Sequence, residues 1–216
     1  MIKINDYRNL GNLLWSAIMA TIEYAELKET DILSLSEIHK HELKIGVLTM
    51  FGSPFLSQMY LSLLNQGNWG FVAKVKGEIV GYIFATQTEI SLLKCLSIQS
   101  ILRFLLNSIL NPLKFFSFLI AFKESYLNNS NDKIIPIKTM IELSHFAIKE
   151  DWKSKGIGGN LIEKLETKAK ESGFSSVFTR THNERLSSYY IKSRKAKVLK
   201  RLPMASYVSL VLKWEI

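Results

Sequence analysis

Between residues 148 and 160 the chain reads Ile-Lys-Glu-Asp-Trp-Lys-Ser-Lys-Gly-Ile-Gly-Gly-Asn. A strand-like segment runs into a loop with three glycines, and the loop runs into a helical pattern. Residues 137–149 predict a long strand, and residues 152–159 the glycine loop. Residues 157–172 predict a helix with Leu161, Ile162, Leu165 and Ala169 as its buried stripe and Gly173 just past its end. Glycine leaves backbone N–H groups uncovered, and a helix start adds unpaired N–H groups at the positive end of its dipole. Together they bind phosphate oxygens. Lys153 and Lys155 add charge beside them. A tight strand-to-helix connection uses glycines too, so the loop alone does not decide the function.

Two nucleotide-binding patterns fail at named positions. A Walker loop needs Lys and Ser/Thr after its last glycine, whereas Gly159 is followed by Asn160-Leu161. A dinucleotide fingerprint wants a small residue near Leu161 and an acid closing the next strand, where the chain has Thr179-Arg180-Thr181. The hairpin described next also disfavours an all-parallel sheet.

Residues 21–27 predict a first strand. Thr30 or Asp31 caps a helix with Ile32, Leu35, Ile38 and Leu43 on one face. Ser53-Pro54 opens another, with Phe55, Leu56, Met59, Leu63 and Leu64 at helical spacing and Asn65-Gln66-Gly67 at its end. Residues 69–75 and 78–87 form an antiparallel hairpin around Lys76-Gly77. An insertion, residues 90–133, carries two apolar helices, the second opened by Asn111-Pro112. Arg103, Asn107, Asn111, Pro112 and Lys114 interrupt its apolar run and argue against a membrane span. A strand over 175–181, a helix over 184–193 and strands near 196–201 and 205–214 complete the chain. Residues 1–20 are expected to be an N-terminal extension. Lys3 and Arg8 precede a short apolar run, but Asp6 and the brevity of that run argue against an export signal, and the expected location is cytoplasmic.

The net charge of +9 fits either plain solubility or a polyanionic ligand. No finger, helix-turn-helix or aromatic-sheet signature accompanies it, so nucleic acid is not expected. One cysteine, Cys95, excludes a disulfide framework and a cysteine-rich metal site. The four histidines lack metal-ligand spacing, so no metal is expected.

These residues resemble the GNAT N-acetyltransferases. That family writes its pyrophosphate loop Gln/Arg-x-x-Gly-x-Gly/Ala, and Lys153-Ser-Lys-Gly156-Ile-Gly158 matches it. Lysine in the first place keeps the charge and loses the guanidinium fork. The family's second element is an Asn followed seven residues later by Tyr in a helix, which Asn183 and Tyr190 supply, with Lys192 at a frequently basic position. The usual Gly-Phe that follows is replaced by Arg194-Lys195. The resemblance covers residues 21–88 and 134–214. It implies an α+β fold (three α/β layers) with a mixed, mostly antiparallel central sheet flanked by helices and the inserted helical pair. Residues 21–216 would form one acyltransferase domain.

The resemblance also implies an acetyl-CoA site. The strand before the loop would offer its backbone at Phe146, Ala147 and Ile148 to the pantetheine and thioester. Lys153, Ser154, Lys155, Gly156, Ile157, Gly158, Gly159 and Asn160 would hold the pyrophosphate, with Asn183, Tyr189 and Lys192 completing the donor site. Tyr190 is the expected acid for the departing thiolate, because a phenol of pKa about 10 can protonate a thiolate of about 8.5. A core tyrosine is the plain alternative, and Tyr189 takes the role if the register slips by one. Glu142, at the glutamate position of the histone-acetylating branch, is the expected base. It shares a face with Ser144 and Phe146 if no bulge intervenes. His145 competes with it. The reaction implied is direct attack, in a ternary complex, by a primary amine of a small molecule such as an amino sugar or sugar nucleotide. A long-chain N-acyltransferase using acyl-CoA or acyl carrier protein and a non-catalytic CoA-binding module are the alternatives. A homodimer stays open, and membrane-surface contact is not favoured.

Overall fold

The computed structural model describes residues 22–44, 47–87, 139–203 and 207–216. The expected N-terminal extension and helical insertion lie outside them. The described elements are β1 (Ile22–Glu26), α1 (Ile32–Glu42), α2 (Gly52–Asn65), β2 (Trp69–Val75), β3 (Glu78–Thr86), β4 (Met140–Ile148), α3 (Ile157–Glu171), β5 (Ser176–Thr181), α4 (Glu184–Arg194), β6 (Lys197–Pro203) and β7 (Val208–Glu215).

The seven strands form one sheet in the order β1-β2-β3-β4-β5-β7-β6. Only β4 and β5 run parallel; every other neighbouring pair is antiparallel. The β2–β3 turn shows why a short signal sufficed. A two-residue turn that matches strand twist needs positive φ at both positions, and Lys76 has φ 50° and Gly77 φ 83°.

Each face of the sheet carries a helical layer. On one side α3 and α4 cover Ala73, Ile83, Ile141, Leu143, Val177 and Leu212. The stripe of α3 is the one its spacing predicts: Ile157, Leu161, Ile162, Leu165 and Ala169 are buried. Each large apolar side chain so enclosed contributes about 1.5–3 kcal/mol. On the other side Leu35 and Ile38 of α1 and Phe55, Leu56, Met59 and Leu63 of α2 pack on Val72, Ile79, Phe84 and Ala147.

Two irregularities shape the middle of the sheet. The β4–β5 ladder ends at the pair Leu143–Thr179, after which the strands part. On its other edge β4 pairs Leu143 with Ala85 and His145 with Phe84, leaving Ser144 unopposed as a bulge; its Oγ donates to the Phe84 carbonyl at 3.1 Å. The expected alternation through Glu142, Ser144 and Phe146 is therefore broken. Phe146 and Ile148 pack with the α3 core, whereas His145 and Ala147 face α1 and α2.

Candidate active site

The parting of β4 and β5 opens a cleft of about 450 Å³. Thr179 Oγ1 donates to the Leu143 carbonyl at 2.8 Å and closes the last joined rung beneath it. His39, Glu42 and Lys44 wall it on one side, Ser144, His145 and Phe146 at the strand, and Arg180, His182, Asn183, Leu186 and Tyr190 on the other. The Lys149 N–H is spent on the Val80 carbonyl of β3 at 2.9 Å. Ladder groups alternate edges, so the Ile148 N–H turns to the opposite edge, into the gap.

The glycine loop stands over this gap. Ser154 and Gly156 both have positive φ, 64° and 77°, which turns consecutive N–H groups to one side. The Asn160 N–H makes the first helical bond, to the Gly156 carbonyl at 3.3 Å, so the N–H groups of residues 157–159 precede the ladder. The Ile157 side chain is fully buried and anchors the helix start; only its backbone serves the loop. A Cβ on Gly158 would lie 3.0 Å from Phe146 Cζ and 3.3 Å from Ile148 Cδ1. A Cβ on Gly159 would lie 3.4 Å from the Tyr189 hydroxyl.

Several expected site residues have their side chains engaged elsewhere. Asn160 Nδ2 donates to the Tyr24 hydroxyl at 2.9 Å, so that side chain braces β1. Lys153 is paired with Glu42 at 2.7 Å and also with Glu150. Lys155 bonds the Asp151 carbonyl and lies 5.0 Å over the Trp152 ring. Asn183, on the cleft wall, caps α4, its Oδ1 accepting from the Leu186 N–H at 3.1 Å. Lys192 is exposed. Tyr190 stacks on Trp214, centroids 5.0 Å apart and planes 14° off parallel, and reaches the cleft from the core. Burial, with Tyr189 and Glu166 nearby, holds its hydroxyl well above the usual phenol range. Glu142 lies 3.8 Å from the Arg180 guanidinium.

Sequence reasoning missed Arg185. Its Nη2 donates to Ser154 Oγ at 2.8 Å, which brings a guanidinium from α4 to the loop whose first motif position lacks one. Charge-assisted bonds contribute about 1.5–3 kcal/mol, so Arg185→Ala is expected to weaken CoA binding about tenfold or more, read by calorimetry.

On the α1–α2 side, burial pulls the pKa of His39 to about 2, with His145 nearby adding to the effect, and burial pulls that of His145 to about 4. Below the ordinary value of 6.5 the unfolded chain takes up these protons and the folded chain does not. Stability is therefore full above that pH and falls below it, by about 1.4 kcal/mol per pH unit for each histidine. Urea titrations are expected to show a loss of about 4 kcal/mol by about pH 5. A flat profile over that range would contradict neutral burial of the pair.

The pattern of the acetyltransferase (GNAT) family matches residues 47–192, more than half of the chain. The chain belongs to the GNAT acetyltransferase family. Among solved structures, a ribosomal-protein-alanine N-acetyltransferase from Brucella melitensis superposes with a TM-score of 0.60 at 12% identity, covering 90% of this chain and 99% of that one. A phosphinothricin acetyltransferase of the GNAT superfamily from Sinorhizobium meliloti, solved with acetyl-CoA, gives 0.59 at 12% identity over 91% and 89%. An N-acetyltransferase from Thermoplasma acidophilum, solved with coenzyme A, gives 0.55 at 15% over 90% and 99%. At these identities the likeness is one of fold. A comparison with curated proteins finds no match to the sequence. The N–H groups at the start of α3 that precede the helical ladder suit a pyrophosphate such as that of the acetyl-CoA with which the Sinorhizobium enzyme was solved. Among the described residues no cluster of three metal-ligating side chains occurs, and no helix is long and apolar enough to cross a membrane.

Proposed function

We propose that this GNAT enzyme acetylates a primary amine of a small polar molecule, an amino sugar or sugar nucleotide being the leading class, by direct attack within a ternary complex. One observation carries the reading. Phe146 borders Gly158 of the glycine loop and also lines the cleft, so a donor held by the loop ends at the cleft wall. The Ile148 N–H would polarise the thioester carbonyl there, stabilising the charge that develops on attack. The backbone of Ser154 to Gly159, with Arg185, would hold the pyrophosphate. Tyr190 would hydrogen-bond the departing sulfur, and Tyr189 and the Asn183 amide would border the donor. Lys44, Arg180 and His182 on the cleft wall support a hydroxyl- or phosphate-bearing amine over a long acyl chain.

A thiol-release screen over amino sugars, sugar nucleotides, polyamines, amino acids and peptides, with acyl-CoA of several lengths, tests this. Turnover is expected with acetyl-CoA and a polar amine, and Tyr190→Phe should lower it. Preference for long acyl chains would favour the N-acyltransferase alternative, and binding without turnover the non-catalytic module.

A further inference from the structure

Arg194 stands where the family motif usually has glycine, and it ends α4. Lys195 makes the left-handed turn after it, with φ 54°, and the Ala196 N–H closes that turn on the Tyr190 carbonyl at 3.1 Å. Arg194 and Tyr190 are four residues apart, so they share a face of α4. From that face Arg194 Nε donates to Glu166 Oε1 at 2.8 Å, and its Nη2 lies 3.6 Å from Glu163 Oε1. These long side chains tie α4 to α3, the helix whose first turn carries the glycine loop.

The same Glu166 oxygen accepts from the Trp214 indole N–H at 2.7 Å. An indole N–H can only donate, and Trp214 is buried, so this bond satisfies a donor that water does not reach. Trp214 is also the ring on which Tyr190 stacks. It cannot turn without leaving Glu166, and a stacked neighbour fixes the plane of the tyrosine. One carboxylate oxygen therefore holds both the end of α4 behind Tyr190 and the ring beneath Tyr190. Tyr189 belongs to the same group: its ring meets Tyr190 edge-on at 5.8 Å, and the Arg194 guanidinium lies 5.8 Å from its centroid. Glu166 does not wall the cleft. It lines a separate groove of about 490 Å³ with Glu163, Arg194 and Trp214, so it does not touch the reacting atoms.

We propose that Glu166 is a positioning residue for acetyl transfer: through Trp214 and Arg194 it holds Tyr190 where the thioester sulfur departs. The inference rests on the acetyl-transfer reading above. As the amine nitrogen bonds to the thioester carbon, the carbon–sulfur bond breaks and its electron pair stays on sulfur. The Tyr190 hydroxyl donates a hydrogen bond to that sulfur. The nitrogen sheds its proton to water and the thiolate takes one from water, so the count closes. A displacement of about 1 Å in such a donor lowers the rate severely, which makes the clamp behind the tyrosine part of the reaction's geometry.

The test measures kcat, KM for acetyl-CoA and CoA affinity for wild type, Glu166→Leu, Glu166→Gln and Arg194→Met, each also combined with Tyr190→Phe. It uses acetyl-CoA and the amine that wild type turns over. Tyr190→Phe keeps the ring that stacks on Trp214 and loses only the hydroxyl; it should lower kcat about tenfold or more. Glu166→Leu should lower kcat about tenfold, with KM and CoA affinity within about threefold of wild type. Glu166→Gln keeps an acceptor oxygen and should bring kcat back to within about threefold of wild type. Arg194→Met, at a partly exposed side chain, should lower kcat about fivefold, and it decides the matter if Glu166→Leu does not fold. Combined with Tyr190→Phe, neither change should cost more than about twofold further, because residues acting through one group are not additive, whereas a general loosening of the fold multiplies with the loss of the hydroxyl. The near-ultraviolet circular dichroism of the Trp214–Tyr190 stack should weaken in Glu166→Leu and persist in Glu166→Gln. Losses that multiply, Glu166→Leu at the wild-type kcat, or Tyr190→Phe at the wild-type kcat would each overturn the positioning role while acetyl transfer stands. Wild type that binds CoA but releases no thiol with any amine overturns acetyl transfer itself, and this inference with it.

Discussion

Replacing Gly158 with valine is expected to weaken CoA binding about a hundredfold or more, while the protein stays folded. Gly158 is the second residue of α3, where a side chain is tolerated by the helix itself. The obstruction lies across the gap: a Cβ would already crowd Phe146 Cζ at 3.0 Å and Ile148 Cδ1 at 3.3 Å. Both belong to the half of β4 that has left β5 and border the expected thioester position. Branched methyls would push the Phe146 ring into the donor's path and cover N–H groups at the helix start. Two charge-assisted bonds lost at about 1.5–3 kcal/mol each account for the size of the effect, at about 1.4 kcal/mol per tenfold. Phe146 and Ile148 are only partly buried and can yield at their tips, so thermal stability should change little. Alanine at the same position should give an intermediate loss. Calorimetric titration with CoA, paired with thermal unfolding, reads both quantities.

Gly70→Ala is expected to act in the opposite way, on the fold and not on the donor. Gly70 pairs with Phe84 across the β2–β3 ladder. A Cβ there would lie 2.5 Å from the Ile83 carbonyl oxygen, 3.1 Å from Phe84 Cδ2 and 3.3 Å from Phe84 Cα. The nearest of these is backbone, so relief requires the strands to separate. The cost should reach about 3 kcal/mol, the top of the usual range for overpacking. That is a large part of a stability of about 5–15 kcal/mol and corresponds to a fall in Tm of about 6–12 °C. Enzyme that remains folded should bind CoA as wild type does. An unchanged Tm would show that the β2–β3 spacing is looser than described.

Elements set by local chemistry were legible from the chain. The stripe of α3 follows from spacing alone, and the Lys76-Gly77 turn follows from the positive φ that a two-residue hairpin demands. The order of elements was legible as well, from the alternation of periods along the chain. Features set by a partner were not. The bulge at Ser144 depends on β3, so a period of two read along β4 alone placed Phe146 on the face of Glu142. Arg185 meets Ser154, and Glu42 meets Lys153, across gaps in sequence that no spacing rule covers. Asn160 followed the glycine loop and Asn183 matched a motif, yet their side chains brace Tyr24 and cap α4. No spacing rule links His39, Tyr60 and Tyr82, which the packing of α1 and α2 on β3 joins.

Incubation with acetyl-CoA labelled in its acetyl group, with and without a polar amine that supports turnover, tests the central claim most directly. Direct attack within a ternary complex predicts label on the amine nitrogen only when both substrates are present, one CoA released per amide formed, and no label retained on the protein. Label covalently bound to the enzyme in the absence of amine, or CoA binding with no label transferred to any amine, would contradict it.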